Sequence, residues 1–283
     1  NPNRNFRQDI FAKITADIER EAPIIPQSNT KTGVTKGFAY SLLARLYLNA
    51  QVYTGTPQWA KAVQYADSVI NLGQYSLEDD PMKPFVTNNS NSPELIFVIP
   101  YDEDKYQGFN LHMRTLHYNS NLTFNMTAGP WNGFAAMYDH YNSYADNDKR
   151  KQGYFLVGQQ YTADGQPIKD QGAGGADLIF DPVIPALNMD ASFTPIQIRM
   201  SGARVKKFEI KMGAKDNLSN DFPLFRYADV LMMKGEALVR QGQNGDAFIN
   251  PIRQRAGLAP LTNATLDDFL AERGREFFWE AHR

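Results

Sequence analysis

The 283-residue sequence predicts a mostly α-helical protein, in which helical pairs similar to tetratricopeptide units form a superhelix that carries a large loop-rich insertion with short strands. Two observations predict this fold class. Apolar residues recur with helical spacing near both ends of the chain, whereas residues 101–222 largely lack that spacing and are rich in Gly, Asn, Asp and aromatic residues. We therefore expect one domain, with a helical scaffold at residues 1–100 and 223–283 and with residues 101–222 as the candidate ligand-binding region.

An initial helix is predicted at residues 6–21, where Ile10, Ile14 and Ile18 recur at every fourth position and would face the core. The segment TKGFAYSLLARLYLNAQ, residues 35–51, predicts a second helix. Its apolar face would consist of Ala39, Leu42, Leu43, Leu46, Tyr47 and Ala50, and its opposite face of Ser41, Arg45 and Asn49.

A third helix is predicted after a short break that contains Gly55 and Pro57. In WAKAVQYADSVINLGQY, residues 59–75, the apolar repeat ends before Gly73, a residue type that commonly follows the end of a helix. The repeat consists of Trp59, Val63, Ala66 and Ile70. Two helices joined by so short a turn are expected to pack antiparallel, and the alanines on both would allow a close approach.

Regular structure in the middle of the chain is predicted only in short pieces. ELIFVIP, at residues 94–100, has the composition of a strand. Within the insertion, a helix is predicted at residues 133–142 and short strands at residues 154–157 and 204–210. In the helix, the residues expected to pack inward are Met137, Tyr138 and Tyr141.

Helical spacing returns near the C-terminus. One helix is predicted from Tyr227 to a stop at Gly242, and a shorter one before Gly257. The last helix would begin with a capping box, since Thr265 precedes Asp268 by three residues, and would run to the end of the chain. Its apolar positions are Leu266, Phe269, Leu270 and Phe277.

Composition excludes several classes of function. The net charge is -2 and no long run of one sign occurs, so the chain lacks the basic surface that nucleic-acid binding requires. The absence of cysteine excludes disulfides, thiolate zinc sites and cysteine nucleophiles. No apolar run approaches the roughly 18 residues that span a bilayer, and the first residues lack the apolar core of a signal peptide.

The last predicted helix carries Glu272, Glu276 and Glu280 at intervals of four residues. Side chains at this spacing share a face, and two carboxylates roughly 5 to 10 Å apart are what glycoside hydrolysis requires. The alternative is a structural network with nearby arginines, and the sequence favours it because arginines are interleaved with the glutamates. The expected partners are Arg253, Arg255, Arg273, Arg275 and Arg283.

Other patterns give no positive support for catalysis, a metal or a cofactor. The histidines lack a metal-ligand spacing such as His-Glu-x-x-His. Asp102, Glu103 and Asp104 could chelate calcium, but without the Gly and distal Glu of a calcium loop they are more typical of a solvated turn. The glycine-rich run at residues 172–175 lacks the lysine of a phosphate-binding loop. We therefore expect no enzymatic activity, no cofactor and no metal.

Aromatic residues that alternate with asparagines in the insertion are the candidate binding residues. The C–H face of a sugar ring stacks on an aromatic ring, and amide groups can bond its hydroxyls. The candidate glycan-binding residues are Trp131, Asn132, Tyr118, Asn119, Phe109 and Phe134. Trp131 is the strongest, because the turn residues Gly129, Pro130 and Gly133 around it argue against burial in a regular element. The alternative is a small aromatic core beneath a long loop.

Several segments occur in the order seen in the SusD/RagB family, which this sequence resembles over nearly its whole length and most strongly at its two ends. They are TKGFAYSLLARLYLNA, WAKAVQYADSVINLGQY, SPELIFVIP, RVKKFEI, FPLFRYADVLMMKGEAL, FINPIRQRAGL and ERGREFFWEAHR. Because members are typically much longer, the resemblance implies a fragment. The expected missing parts are an upstream section with the signal peptide, lipidated cysteine and first helical pair, and some sequence after Arg283.

The resemblance also implies a function. SusD-like proteins of Bacteroidetes are lipoproteins of the outer membrane that capture oligosaccharides or polysaccharides at the cell surface and deliver them to a TonB-dependent, SusC-like transporter. This chain would then touch the membrane only through an N-terminal lipid anchor outside the fragment. A helical-repeat scaffold that binds only protein is the alternative, and a glycoside hydrolase is the least favoured. The resemblance does not identify the glycan.

Overall fold

Helices form most of the regular structure in the computed structural model, which describes residues 6–28 and 30–282. In chain order they are α1 (Arg7–Glu21), α2 (Lys36–Leu48), α3 (Ala50–Thr54), α4 (Trp59–Asn71), α5 (Leu111–Thr115), α6 (Ser120–Phe124), α7 (Tyr138–Asn142), α8 (Lys149–Tyr154), α9 (Pro195–Met200), α10 (Tyr227–Arg240), α11 (Asp246–Arg255) and α12 (Leu266–Glu276). Single 3-10 turns lie at Lys83–Phe85, Asn89–Asn91 and Gln171–Ala173. The predicted mostly helical fold class is confirmed.

The strands are short and pair in antiparallel twos. They are β1 (Leu95–Ile99), β2 (Phe155–Leu156), β3 (Gly158–Gln159), β4 (Lys169–Asp170), β5 (Ala176–Asp177), β6 (Ile179–Phe180), β7 (Arg204–Val205) and β8 (Phe222–Arg226). β1 pairs with β8, β2 with β7, β3 with β6 and β4 with β5. The predicted strands at residues 94–100, 154–157 and 204–210 contain β1, β2 and β7, whereas nothing in the sequence pattern indicates β8.

The chain divides into two units, each built from segments that are separated in sequence. Unit 1 comprises Asn1–Asp80, Ser90–Ile99 and Phe222–Arg283, so the N-terminal and C-terminal helices share one unit. Unit 2 comprises Pro81–Asn89 and Pro100–Asp221. In the part of the chain that the structure describes, no helix is both long and apolar enough to cross a membrane.

The predicted pair of helices α2 and α4 packs through small residues. Ala44, Ala62 and Ala66 are fully buried in the core of unit 1. Ser41, which the sequence places on the exposed face of α2, is also fully buried. Its hydroxyl donates to the carbonyl of Gly37 at 2.7 Å, so its burial leaves no unsatisfied donor. The prediction for Ser41 was wrong because α2 also contacts α10 and β1.

The structure corrects the orientation of α1. Phe11 and Thr15 are buried, whereas Ile10 and Ile14 are 46% and 43% exposed. Ile18 packs against the core as predicted. The hydroxyl of Thr15 donates to the carbonyl of Phe11 at 2.9 Å, and this bond satisfies the threonine on the buried face.

Helix α10 is buried on two sides. Val230, Met233 and Ala237 belong to the core that α2 and α4 share. Ala228 and Met232 belong to a second cluster, which also contains residues of α11 and α12. The helix therefore lies at the centre of unit 1.

Helix α12 begins with the predicted capping box. Thr265 Oγ1 accepts from the amide of Asp268 at 3.3 Å, and Asp268 Oδ2 accepts from the amide of Thr265 at 2.8 Å. The helix does not run to the end of the chain as predicted. It stops at Glu276, and the backbone then turns, with Trp279 and Ala281 at left-handed φ values of 68° and 57°.

Two glutamates near the end of α12 belong to a buried ionic network in unit 1. The guanidinium of Arg226 donates to Glu94 at 2.7 Å, to Glu276 at 2.8 Å and to Glu280 at 2.7 Å. Arg255 bonds Glu94 and Glu276, each at 2.5 Å. Burial opposes the charge of Arg226, but the three carboxylates, Glu280 foremost, raise its pKa well above the ordinary value.

Glu272 has the same structural role one turn earlier. It is fully buried and pairs with Arg253 at 3.1 Å and Arg275 at 2.9 Å. Arg273 bonds a carboxylate of α10 instead, and Arg283 lies outside the described residues. The prediction that arginines pair with these glutamates is confirmed, although Arg226 and not Arg273 is one of the partners. Because these carboxylates are buried and paired with arginines, they cannot act on a glycan.

Unit 2 is held together by aromatic packing. Phe208 contacts Phe85 and Phe109, with ring centroids 5.2 and 4.8 Å apart. Tyr154 packs edge-on against Phe85 at 6.4 Å. A second cluster consists of Ile168, Ala173, Leu178, Phe180 and Met200.

The helix predicted at residues 133–142 is restricted to α7, Tyr138–Asn142. Met137 and Tyr138 are 47% and 39% exposed, so their predicted inward packing was wrong. Tyr141 does pack inward, edge-on against Phe155 at 5.4 Å.

Candidate functional site

The candidate residue Trp131 lies in a turn, residues 129–134, whose backbone is bonded to α5 and the residue after it. The amides of the turn donate to carbonyl groups of that segment: Trp131 to Met113 at 2.7 Å, Asn132 to Leu116 at 2.9 Å, Gly133 to Arg114 at 2.7 Å and Phe134 to Arg114 at 2.8 Å. Four consecutive amides are therefore satisfied by one neighbouring segment. We call residues 129–134 the platform turn.

Local backbone chemistry explains the shape of the platform turn. Asn132 has a left-handed φ of 54°, a conformation that asparagine adopts more readily than most residues. Gly133 allows the close approach to α5, because a Cβ atom there would lie 3.1 Å from the carbonyl oxygen of Arg114. Similarly, a Cβ at Gly129 would lie 3.4 Å from the carbonyl oxygen of Tyr118. The turn thus lies directly against the segment that carries Tyr118.

Three of the candidate aromatic rings are exposed to solvent. Tyr118, Trp131 and Phe134 are 42%, 47% and 51% exposed. Arginine side chains lie over two of them, with Arg114 Cζ 5.6 Å from the ring centroid of Trp131 and Arg199 Cζ 4.7 Å from that of Tyr118. We call Tyr118, Trp131 and Phe134 the aromatic platform.

Phe109 does not belong to this surface. Its side chain is 3% exposed and packs against Phe208 at 4.8 Å and Tyr101 at 5.2 Å between ring centroids. A buried ring cannot offer a face to a sugar, so the structure contradicts this candidate. For Phe109, the alternative of an aromatic core beneath the loop is correct.

The side chain of Asn132 has a structural role. Its Nδ2 donates to the carbonyl of Arg199 at 3.0 Å, and its Oδ1 accepts from Nε of Arg204 at 3.0 Å. Both ends of the amide thus form one internal hydrogen bond each, which leaves one N–H and one lone pair of this half-buried side chain for a ligand. Asn119 is half-buried and donates through Nδ2 to the carbonyl of Lys169 at 3.2 Å, whereas its Oδ1 accepts no bond from the described residues.

A polar cluster that the sequence does not indicate lies next to Tyr118 of the aromatic platform. Arg199 forms a bidentate pair with Asp170, with distances of 2.5 and 2.8 Å. His117 is fully buried with Nε2 3.2 Å from Asp170, and burial lowers its pKa to about 4. Arg204 is 2% exposed and donates to carbonyl groups and to Asn132. Sequence reasoning could not group these residues, because up to 87 positions separate them.

The acidic turn at residues 102–104, which the sequence offered as a possible calcium ligand set, uses its carboxylates in local bonds. Asp102 Oδ1 accepts from the amides of Asp104 and Lys105 at 2.9 and 2.8 Å. Lys215 pairs with Asp104 at 2.7 Å. Among residues 6–28 and 30–282, no group of three or more acidic or histidine side chains could hold a metal ion.

The chain is similar to known proteins in sequence and in fold. It is 25% identical over 281 residues to the starch-binding protein SusD of Bacteroides thetaiotaomicron, and the alignment covers 88% of this chain and 50% of that protein. The chain therefore spans about half the length of this relative.

Two solved structures share the fold of this chain. Surface glycan-binding protein A from Bacteroides uniformis matches 97% of it with a TM-score of 0.70 and 20% identity, over 56% of its own length. Surface glycan-binding protein A from Bacteroides thetaiotaomicron, in complex with laminarihexaose, matches 94% of it with a TM-score of 0.68 and 19% identity, over 58% of its own length.

A model of one protein family matches residues 93–283. This range includes β1, the whole of residues 100–221 with the platform turn, and helices α10–α12. The chain therefore belongs to the SusD family.

Proposed function

We propose that this chain is the glycan-binding part of a cell-surface protein, and that it captures an oligosaccharide or polysaccharide on the aromatic platform. The observation that carries the proposal is the exposure of Tyr118, Trp131 and Phe134 beside a turn whose four amides are bonded to α5. Apolar rings that are about half exposed on a fixed backbone lose little conformational entropy when a ligand stacks on them.

The relatives support a glycan rather than another ligand. One is named for binding starch, and a protein with the same fold is described in complex with laminarihexaose. The resemblance within the SusD family supports two further parts of it: lipid anchoring at the outer membrane and delivery of the glycan to a TonB-dependent, SusC-like transporter.

The two alternative functions have less support. A glycoside hydrolase would use the carboxylates of α12, but Glu272 and Glu276 are fully buried and Glu280 is 2% exposed. Exposed aromatic rings also occur at protein interfaces, so the preference for a glycan over a protein partner rests on the relatives. We therefore propose a binding protein without catalytic activity.

Glycan capture is tested by isothermal titration calorimetry of the 283-residue chain with a panel of soluble polysaccharides. We expect at least one of them to bind, and we expect Trp131→Ala to weaken that binding about tenfold or more, since aromatic anchors contribute on the order of 1–2 kcal/mol. Tyr106→Ala is the matched control, because Tyr106 is 65% exposed but lies in the separate turn that begins at Asp102. It should bind like the unchanged chain.

Two outcomes contradict the proposal at different levels. Undiminished binding by Trp131→Ala would place the glycan elsewhere on the chain. If the unchanged chain binds no polysaccharide, the glycan function itself fails and the protein-binding scaffold is the better hypothesis.

A further inference from the structure

We propose that the glycan is anionic, bearing carboxylate or sulfate groups that the guanidinium of Arg114 binds beside Trp131. This inference rests on the proposed function, because it concerns the charge of the glycan on the aromatic platform. It depends on the formal charges around the platform and on which of them are already paired.

The segment that carries the platform is almost devoid of charge. Between Lys105 and Asp139, the only side chain with a formal charge at neutral pH is Arg114. Sites for neutral sugars commonly present carboxylates, which accept bonds from sugar hydroxyls. Residues 106–138, which include all three rings, contribute no carboxylate, and their single charge is positive.

Arg114 is positioned to bind an anion. Its side chain is exposed, and its Nε donates to Asn110 Oδ1 at 3.0 Å, a bond that fixes the plane of the guanidinium. Its two terminal nitrogens form no hydrogen bond or ion pair with the described residues. The guanidinium lies over the indole, 5.6 Å from the ring centroid of Trp131, and the ring is still 47% exposed. A sugar stacked on the part of the ring that Arg114 leaves open would have its substituents within reach of a bidentate donor.

The polar cluster next to Tyr118 adds positive charge and no accessible carboxylate. Asp170 is 1% exposed and accepts two bonds from Arg199 and one from the amide of Gly172. It therefore compensates Arg199 and is unavailable to a ligand. Arg204 is buried without a carboxylate partner, since its acceptors are three carbonyl groups and the amide of Asn132.

The local sum of charges is therefore positive. Arg114, Arg199 and Arg204 contribute three positive charges and Asp170 one negative charge, while His117 is buried in its neutral form. Lys169 on the neighbouring hairpin is compensated by Asp177 at 2.7 Å. Two uncompensated charges near exposed rings favour a ligand that brings negative charge. The overall charge of the chain, -2, shows that this excess is local.

The inference is tested with pairs of polysaccharides that differ only in charge. Polygalacturonate is paired with its methyl-esterified form, and a sulfated galactan with its desulfated form, so that the two arms separate a carboxylate ligand from a sulfate ligand. Binding to the 283-residue chain is measured by calorimetry at about 0.05 and about 0.5 M salt, between which charge screening becomes much stronger. Neutral glucans complete the panel.

We expect an anionic member to bind and its neutral counterpart to bind at least about tenfold more weakly, with high salt weakening only the anionic one. Arg114→Gln should lower the affinity for the anionic glycan about tenfold, as expected when charge-assisted hydrogen bonds are lost. Arg114→Glu should lower it further. Lys105→Gln removes the same charge from an exposed residue outside the platform and should have little effect.

The outcomes separate this inference from the proposed function. If neutral glucans bind, and binding is lost in Trp131→Ala but unchanged in Arg114→Gln, the charge inference is overturned while glycan capture stands. Anionic binding that Arg114→Gln leaves unchanged also overturns it. If no polysaccharide binds the unchanged chain, both proposals fail.

Discussion

His117 shows how one buried residue supports the candidate site. Its Nδ1 accepts from the amide of Asn119 at 3.1 Å, so the proton of the neutral ring lies on Nε2, which is 3.2 Å from Asp170. The ring thus lies between the backbone next to Tyr118 and the carboxylate that holds Arg199. Burial lowers the pKa of His117 to about 4, and the positive charges of Arg204 and Arg199 act in the same direction, although Asp170 opposes them.

This pKa leads to a prediction about pH. Because the pKa is lower in the folded chain than the ordinary value of about 6.5, the unfolded chain binds more protons between about pH 6.5 and pH 4. The contribution of the neutral His117 ring to the free energy of unfolding is therefore fully present above about pH 6.5 and is lost as the pH falls toward 4. We expect NMR titration of the His117 ring, assigned with His117→Asn, to show no protonation above about pH 5. A midpoint near 6.5 would contradict the burial of this ring.

At the scale of single residues, the sequence shows which residue types occur together in a segment, but it does not show which of them are exposed. The alternation of aromatic residues and asparagines identifies Tyr118, Trp131 and Phe134, which the structure places at the surface. The same pattern includes Phe109, which is buried because Phe208, 99 residues later, packs on it. Spacing along the chain contains no information about such distant partners, and the pairing of Asp170 with Arg199 is hidden for the same reason.

At the scale of elements, helical spacing predicts that a helix forms but does not always predict which side it buries. Helices α2, α4, α10 and α12 begin within one residue of where the sequence places them, although α12 ends earlier than predicted. In α12, however, Leu266 and Leu270 are 38% and 67% exposed, whereas Phe269 is fully buried. Apolar residues on α12 occupy more than one face, and only the packing against α10 and α11 selects the buried one. Strands β2 to β7 have only two residues each, which is too short for the alternation of apolar and polar residues that predicts a strand.

Two helical glycines give opposite predictions about stability. A Cβ at Gly235, in α10, would lie 2.5 Å from the ring of Phe269 and 2.9 Å from Phe248. Gly235→Ala should therefore lower the free energy of unfolding by about 1–3 kcal/mol through overpacking. At Gly274, in the last turn of α12, a Cβ would have no heavy atom within 4 Å apart from its chain neighbours and the backbone of its own helix. Gly274→Ala should raise the free energy of unfolding by about 0.5–1 kcal/mol, because alanine favours the helix.

Urea unfolding followed by circular dichroism measures both changes, and each variant is the control for the other. If Gly235→Ala proves neutral, the close contact of α10 with α12 is not as tight as the structure shows. If Gly274→Ala destabilises the chain, an unfavourable contact must exist at a position that the structure leaves open.

At the scale of the whole molecule, unit 1 is assembled from segments that flank the insertion. β1 lies immediately before residues 100–221 and β8 immediately after them, and the two strands pair, with Leu95 opposite Arg226. The ionic network begins at the same place, because Glu94 precedes β1 and Arg226 ends β8. The pairing of β1 with β8 and of Glu94 with Arg226 joins the two parts of unit 1 that an insertion of more than 100 residues separates in sequence. It also holds the two ends of the insertion close together.

Removing Arg226 from the buried ionic network should lower the stability of the fold and leave glycan binding unchanged. Arg226→Met would leave Glu94, Glu276 and Glu280 buried, with Arg255 still bonded to the first two of them. We expect a loss of about 3–5 kcal/mol in the free energy of unfolding, the usual result of removing one partner from a buried ion pair. Since the aromatic platform consists only of residues of unit 2, the folded variant should bind glycan with the affinity of the unchanged chain.

Arg240→Met is the matched control for this prediction. Arg240 also pairs with a glutamate, at 2.8 Å from Glu236, but its side chain is 34% exposed, and partly exposed pairs contribute little to stability. Its loss should change the free energy of unfolding by less than about 1 kcal/mol. Equal stabilities for the two variants would show that the buried network does not hold unit 1 together. A large loss of glycan affinity in folded Arg226→Met would show that binding depends on unit 1, against the assignment of the site to the insertion.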